Sequence, residues 1–241
     1  MSSAEDYEWA DDWYDSIGQA YCLTLAEGLT CAQFLARISA VPSGTSEGLE
    51  TIGVRSQELW EQDPVTRAII GVTEVRDADG KPWALSVEVN GFLGATPEVI
   101  GPLSAGTRVV SHFANASAEC FYWMADGRVA LTFDPLFPQE REGTESRPAA
   151  RMLRAAGFNL ADDGENIDHP TASAFALAQQ ITKVEVTRDL LETASYELGI
   201  APHPAPLPTQ TRPVRGFGSN ARQGAFPPRV APWPSGATLR A

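Results

Sequence analysis

The sequence predicts an α+β fold: an antiparallel sheet of about five strands built from Asp-Gly hairpins, flanked by N-terminal and C-terminal helices. Three observations predict it. Apolar residues recur with a period of two over residues 68–137. Within that span Asp79-Gly80 and Asp126-Gly127 each separate two β-rich runs, and Asp-Gly is a strong two-residue turn signal. On either side of the span the apolar spacing is that of helices.

Taking the elements in order, Trp13, Ile17, Tyr21 and Leu25 stand four apart. That stripe predicts a helix over 12–27, capped by Asp11 or Asp12 and ended by Gly28. A second short helix follows, with Thr30 as N-cap and Phe34, Leu35 and Ile38 as its buried face. Residues 41–67 show no clean period and read as mostly loop, with a turn of helix around 57–62. Counting outward from Asp79-Gly80 pairs Val72 with Val87 and Ile70 with Val89. The same count from Asp126-Gly127 pairs Met124 with Val129, Tyr122 with Leu131 and Cys120 with Phe133, which puts six apolar residues on one face. Between the hairpins, 96–106 reads as a short helix with Pro97 at its first position, and 107–115 as a strand. Helices are expected at 147–157, 170–182 and 187–198, the last bounded by Thr187 and Gly199.

The chain has 241 residues, of which 43% are hydrophobic, so one core over residues 1–200 is expected. All 31 acidic residues fall there with 13 of the 18 basic ones, giving the body a charge of −18. Residues 201–241 hold five Arg and nine of the 18 prolines, no Asp and no Glu, and so carry +5. This segment reads as an extended or disordered tail. So acidic a body repels phosphates, which argues against a nucleic-acid partner. No apolar run reaches the ~18 residues of a membrane span, and the acidic N-terminus is unlike a secretory signal. The three cysteines (Cys22, Cys31, Cys120) form neither a disulfide framework nor a metal spacing, so the cytoplasm is the expected compartment.

The candidate site lies in ECFYWMADGRVALTFDPLFPQEREG, residues 119–143. The predicted register sets Glu119 directly opposite Asp134. Two facing carboxylates repel unless a cation, an arginine or a shared proton compensates, and Arg141 is near enough in sequence to reach back. Glu119 and Asp134 are therefore the candidate catalytic pair, although solvation at a hairpin end is the simpler reading. Phe121 and Trp123 share their face. Covered by a helix they are core; left open they line a groove with Asp134, Glu140 and Arg141 as binding residues. A Cys120–His112 nucleophile fails on register, because Cys120 and Glu119 point to opposite faces.

Only three histidines occur (His112, His169, His203), so no His-rich metal centre is expected. His169 falls at a helix start and His203 in the tail. DDGENID (162–168) lacks the ligand spacing of a calcium loop and reads as an acidic connector. No G-x-G-x-x-G, Walker A or G-x-S-x-G motif is present, and NGFLGATPEVIG (90–101) lacks dinucleotide spacing. No cofactor is expected. The acidic, aromatic DYEWADDWYD segment and the proline motifs PHPAPLP and FPPRVAPWP can contact a protein partner.

WYDSIGQAYCLTLAEGLT, the run from Gly91 through VVSHFAN, and ALTFDPLFPQEREG with its following helix resemble an uncharacterised actinobacterial family of unknown function. The resemblance spans about residues 12–198 and brings no catalytic residues with it. The expected function is a non-enzymatic module that engages a protein partner through the outer hairpin face and the basic tail. The alternatives are a small metal-assisted hydrolase using Glu119 and Asp134, and an immunity or stress-related protein that acts by occlusion.

Overall fold

The computed structural model describes residues 1–11, 13, 20–63, 66–161 and 168–204. Residues 1–205 form one compact unit. At its centre lies a single antiparallel sheet in the order β2-β8-β3-β4-β1-β5-β6-β7. The strands are β1 (Ala20–Glu27), β2 (Val41–Glu47), β3 (Arg67–Arg76), β4 (Pro82–Val89), β5 (Arg108–Asn115), β6 (Ala118–Ala125), β7 (Arg128–Phe133) and β8 (Ser195–Pro202). The described helices are α1 (Cys31–Arg37), α2 (Glu50–Gln62), α3 (Pro97–Leu103), α4 (Ala150–Ala156), α5 (Pro170–Thr182) and α6 (Arg188–Thr193). The fold is α+β as expected, with eight strands among the described residues in place of about five. No helix among the described residues is long and apolar enough to cross a membrane.

Alternation along the strands sorts the side chains into two cores. Tyr21, Leu23, Leu85, Val87, Phe121 and Leu131 pack with α4 and α5 on one face. Ala26, Ala84, Val109 and Met124 meet Phe34 and Leu35 of α1 and Ile100 and Leu103 of α3 on the other. Both faces of the sheet are covered, and this explains the largest error of the sequence reading. The predicted helix 12–27 is, over Ala20–Glu27, the central strand β1, buried along nearly its whole length. Residues 12 and 14–19 of that prediction lie outside the described residues. A strand buried on both faces carries apolar residues at every position, so a four-residue stripe can be read off it by chance.

Two further stretches depart from expectation. The supposed loop 41–67 contains β2 and the 13-residue helix α2. The helix expected over 187–198 stops at Thr193, and β8 begins at Ser195. Thr187 does cap α6, accepting from the N–H of Leu190 at 3.1 Å. Other boundaries hold: Thr30 caps α1 with a reciprocal Gln33 bond, Pro97 opens α3, and Gly157 ends α4 at φ 115°.

Both hairpins form, but each register departs from the simple count. Around Asp79-Gly80 only Gly80 has a positive φ. The Oδ1 of Asp77 accepts from the N–H of Asp79 and of Lys81, each at 2.9 Å, and this bracket lengthens the turn. Val87 therefore faces Gly71, and Val72 faces Ser86. Asp126 and Gly127, at φ 48° and 74°, make the expected two-residue turn, and Met124 faces Val129. A bulge then leaves Ala130 unmatched, so Trp123 faces Leu131 and Phe121 faces Phe133. Cys120 does not face Phe133, and β7 ends before Asp134 could face Glu119.

The free edge of β7 is closed by the returning chain. Thr132 and Glu142 exchange two 2.9 Å backbone bonds, and Glu145 N–H reaches the Ala130 carbonyl at 2.7 Å. This return fixes the 134–142 loop beside the ends of β5 and β6.

Candidate functional site

Three strands and this loop meet at one end of the sheet. His112 on β5 is 4% exposed. Its Nδ1 lies 3.0 Å from the Tyr21 phenol oxygen on β1, and its Nε2 lies 3.3 Å from Oε2 of Glu119 on β6. Antiparallel registry makes both partners diagonal neighbours, since His112 directly faces Leu23 on one side and Phe121 on the other. An ionised carboxylate only accepts, so Glu119 takes the proton on Nε2, while Nδ1 and the Tyr21 phenol share the other hydrogen bond. Burial, and then the Glu119 charge, push the Tyr21 phenol far above the usual tyrosine range.

Asp134 stands in the loop beyond β7, where its Oδ1 accepts from Leu136 N–H at 2.9 Å. Burial raises its carboxyl above the usual aspartate range, and the charges of Glu119 and Glu140 raise it further; the Leu136 bond and His112 act the other way. The two predicted carboxylates are thus within electrostatic reach of each other, without the direct cross-strand pairing. Arg141 does not compensate them. Its Nε donates to the Ser146 carbonyl at 2.8 Å and its Nη1 to the Pro138 carbonyl at 3.2 Å. Glu140 is exposed at the end of the 3-10 turn Pro138–Glu140.

The aromatic pair belongs to the core. Phe121 is 0% exposed and its ring centroid lies 5.2 Å from that of Phe133, which in turn meets Phe158 edge-on at 5.1 Å. Trp123 is half-buried against the same core. The open-groove reading fails for Phe121, because α4 and Phe158 cover that face. Cys120 points to the opposite face from His112 and Glu119, and burial pushes its thiol up to about 11. No thiol nucleophile assembles here. Among the described residues no group of three or more His, Cys, Asp or Glu is arranged to hold a metal. Residues 162–167 of the acidic connector, and the tail from residue 205, lie outside the described residues. His203 belongs to the body instead, stacked on Phe92 at a centroid distance of 4.8 Å.

The Tyr21–His112 contact escaped the sequence reading because β1 was taken for a helix. Once β1 and β5 are both strands, alternation puts Tyr21, Leu23 and His112 on one face.

A family model matches residues 1–205, which takes in every residue of this site. The chain belongs to DUF6461, a family of unknown function. The DUF6461 match covers the N-terminal, central and loop motifs and bears out their resemblance to an uncharacterised family; it ends at residue 205, five residues into the Arg/Pro-rich segment. No curated protein and no solved structure matches the chain.

Proposed function

We propose that this chain is a non-enzymatic interaction module that receives a cationic group of a protein partner between Asp134, Glu140 and Glu119. The basic, proline-rich segment 201–241 supplies a second contact. The observation that carries the reading is the aim of Arg141. The cation nearest these carboxylates in sequence is bonded to carbonyls, and among the described residues no Arg or Lys forms an ion pair with Asp134, Glu140 or Glu119. A guanidinium or ammonium from outside would relieve the repulsion and gain charge-assisted bonds. Catalysis is less well supported. His112 is buried between Tyr21 and Glu119, and among the described residues no Ser, Thr or Cys side chain is hydrogen-bonded to it.

Calorimetric titration of the full chain with an arginine-rich peptide at low salt tests the reading. Binding should weaken roughly five- to tenfold in the Asp134→Asn/Glu140→Gln double variant. The Asp189→Asn control, on exposed α6, should bind as the parent does. Equal affinity in all three proteins removes the carboxylate site from the reading.

One observation favours a metal-assisted hydrolase instead. Burial and the nearby Glu119 charge raise the Asp134 pKa, as expected of a carboxyl that serves as a general acid. A stoichiometric divalent ion in purified protein, lost in Asp134→Asn, would replace the binding module with that enzyme.

A further inference from the structure

On the opposite face of the sheet lies a carboxylate that the proposed function does not use. Glu88 on β4 is 0% exposed and faces Cys22 across the strand pair. Its two carboxyl oxygens receive the backbone N–H of Leu93 at 2.9 Å and of Gly94 at 3.0 Å. The loop carrying these donors lies flush on the sheet. A Cβ at Gly91 would come within 2.7 Å of the Glu88 Cβ, and one at Gly94 within 2.6 Å of Ser111 Oγ and 2.7 Å of Cys22 Sγ. The loop enters through Asn90 at a left-handed φ of 58°, a conformation that asparagine accepts more readily than other non-glycine residues. At its tip Phe92 is 36% exposed and rests on His203.

We propose that the segment 90–95 is a proton-linked latch: protonated Glu88 lets it close over the sheet, and ionisation of Glu88 favours its lifting to bare Cys22, Thr24 and Ser111. The physical reason is solvation. In the closed form an ionised Glu88 is 0% exposed to solvent and has the two N–H donors, whereas lifting the loop exposes the carboxylate to bulk water. Burial accordingly holds Glu88 at about 7, against an ordinary value of 4.5; the Leu93, Gly94 and Cys22 bonds only partly oppose it. The closed form therefore binds the proton more tightly than the open one. Opening becomes easier as pH rises from the ordinary glutamate range to about 7, and levels off above it. Leu93, 1% exposed in the second core, keeps the closed form dominant throughout.

The neighbouring titratable groups do not confuse this window. The Cys22 thiol is pushed far up by burial and by Glu88 and stays protonated. Cys120, which acts on Cys22, is pushed up to about 11. Thr24 and Ser111 present hydroxyls, bonded to each other at 2.9 Å. His203, beyond Phe92, is lowered below the usual histidine value by burial and is neutral across the upper part of the window.

Amide hydrogen exchange of Leu93 and Gly94 in the full chain, corrected for intrinsic rates, reads the opening. Protection should fall on the order of fiftyfold between pH 5 and pH 8, following the shift in Glu88. Glu88→Gln should flatten that dependence. The carbon resonance of the Glu88 carboxyl supplies an independent readout, with a midpoint near 7 expected. Protection independent of pH in the parent, or a Glu88 midpoint in the ordinary glutamate range, overturns the latch even if the variant does not fold.

Discussion

The phenol of Tyr21 meets Nδ1 of His112 at 3.0 Å, across the central strand pair and out of reach of solvent. The bond holds the imidazole with Nε2 facing Glu119, so it orients the histidine of the site. Tyr21→Phe keeps the ring and removes the phenol oxygen, leaving the buried Nδ1 of His112 without this partner. The expected cost is about 1–3 kcal/mol. Urea unfolding should show a lower midpoint with an unchanged slope. An unchanged midpoint would mean that the bond contributes nothing to the fold.

Asp134 offers a sharper test, because stability and binding should move in opposite directions. Its folded carboxyl is raised above the usual range, first by burial and then by Glu119 and Glu140. For an acid so raised, protonation favours the fold, and the ionised form burdens it as pH climbs above the ordinary aspartate value. Asp134→Asn removes that burden and retains an oxygen to accept from Leu136 N–H. The variant should therefore unfold at the same or higher temperature than the parent at neutral pH, yet bind the arginine-rich peptide more weakly. In the parent, peptide binding should fade on acidification at a higher pH than an ordinary aspartate would impose. A variant that loses stability and keeps its affinity contradicts both halves.

How much of this was legible in the sequence follows from how each element is buried. Pro170–Thr182 and Cys31–Arg37 were readable because caps and punctuation are local chemistry. β1 was not, because both of its faces are covered and its alternation is masked by apolar residues throughout. Glu119 and Asp134 were picked out by a register that is one residue off beyond Ala130. They still come close enough to interact, since Asp134 directly follows Phe133, which faces Phe121 two residues beyond Glu119. A bulge leaves no plain mark in the sequence: ALTF alternates as acceptably in either register. Glu88 drew no notice because only the returning 90–95 loop buries it.

The placement of Phe121 separates core from contact surface. With 0% exposure and Phe133 against it, Phe121→Ala should cost about 3–5 kcal/mol through lost burial and a cavity. Measured below its lowered melting temperature, the variant should still bind the arginine-rich peptide. A Phe121→Ala protein of parental stability would mean that the ring lies at the surface.

Asp11 and His169 tie the N-terminal segment to the start of α5. Oδ2 of Asp11 lies 2.6 Å from Nδ1 of His169, and Oδ1 accepts from Ala172 N–H at 3.3 Å. The Asp11 bond and charge raise the His169 pKa above the usual histidine value. A raised histidine stabilises the fold fully below its unfolded value of about 6.5, and that contribution disappears as pH rises through the folded value. Proton NMR of the His169 ring should show a midpoint above that of an unstructured histidine, and Asp11→Asn should return it towards normal. A midpoint that ignores the substitution rules out the pairing in solution.

Gly143 is the residue on which the closed edge of β7 depends. It has φ 113°, and a Cβ there would run into the carbonyl of Ala130, within 2.6 Å of the carbonyl carbon and 2.9 Å of the Leu131 nitrogen. Both atoms are backbone of the strand that Glu142 and Glu145 pair with, so neither can swing aside as a side chain would. Gly143→Ala must push the returning chain off β7 or bend β7 itself. Either outcome frees the strand edge and moves the loop carrying Asp134 and Glu140. The expected result is a loss of about 2–4 kcal/mol with faster amide exchange at Thr132 and Glu142. Weaker peptide binding should accompany it, although no carboxylate has been altered. Faster exchange with full affinity would show that the binding geometry does not depend on this return of the chain.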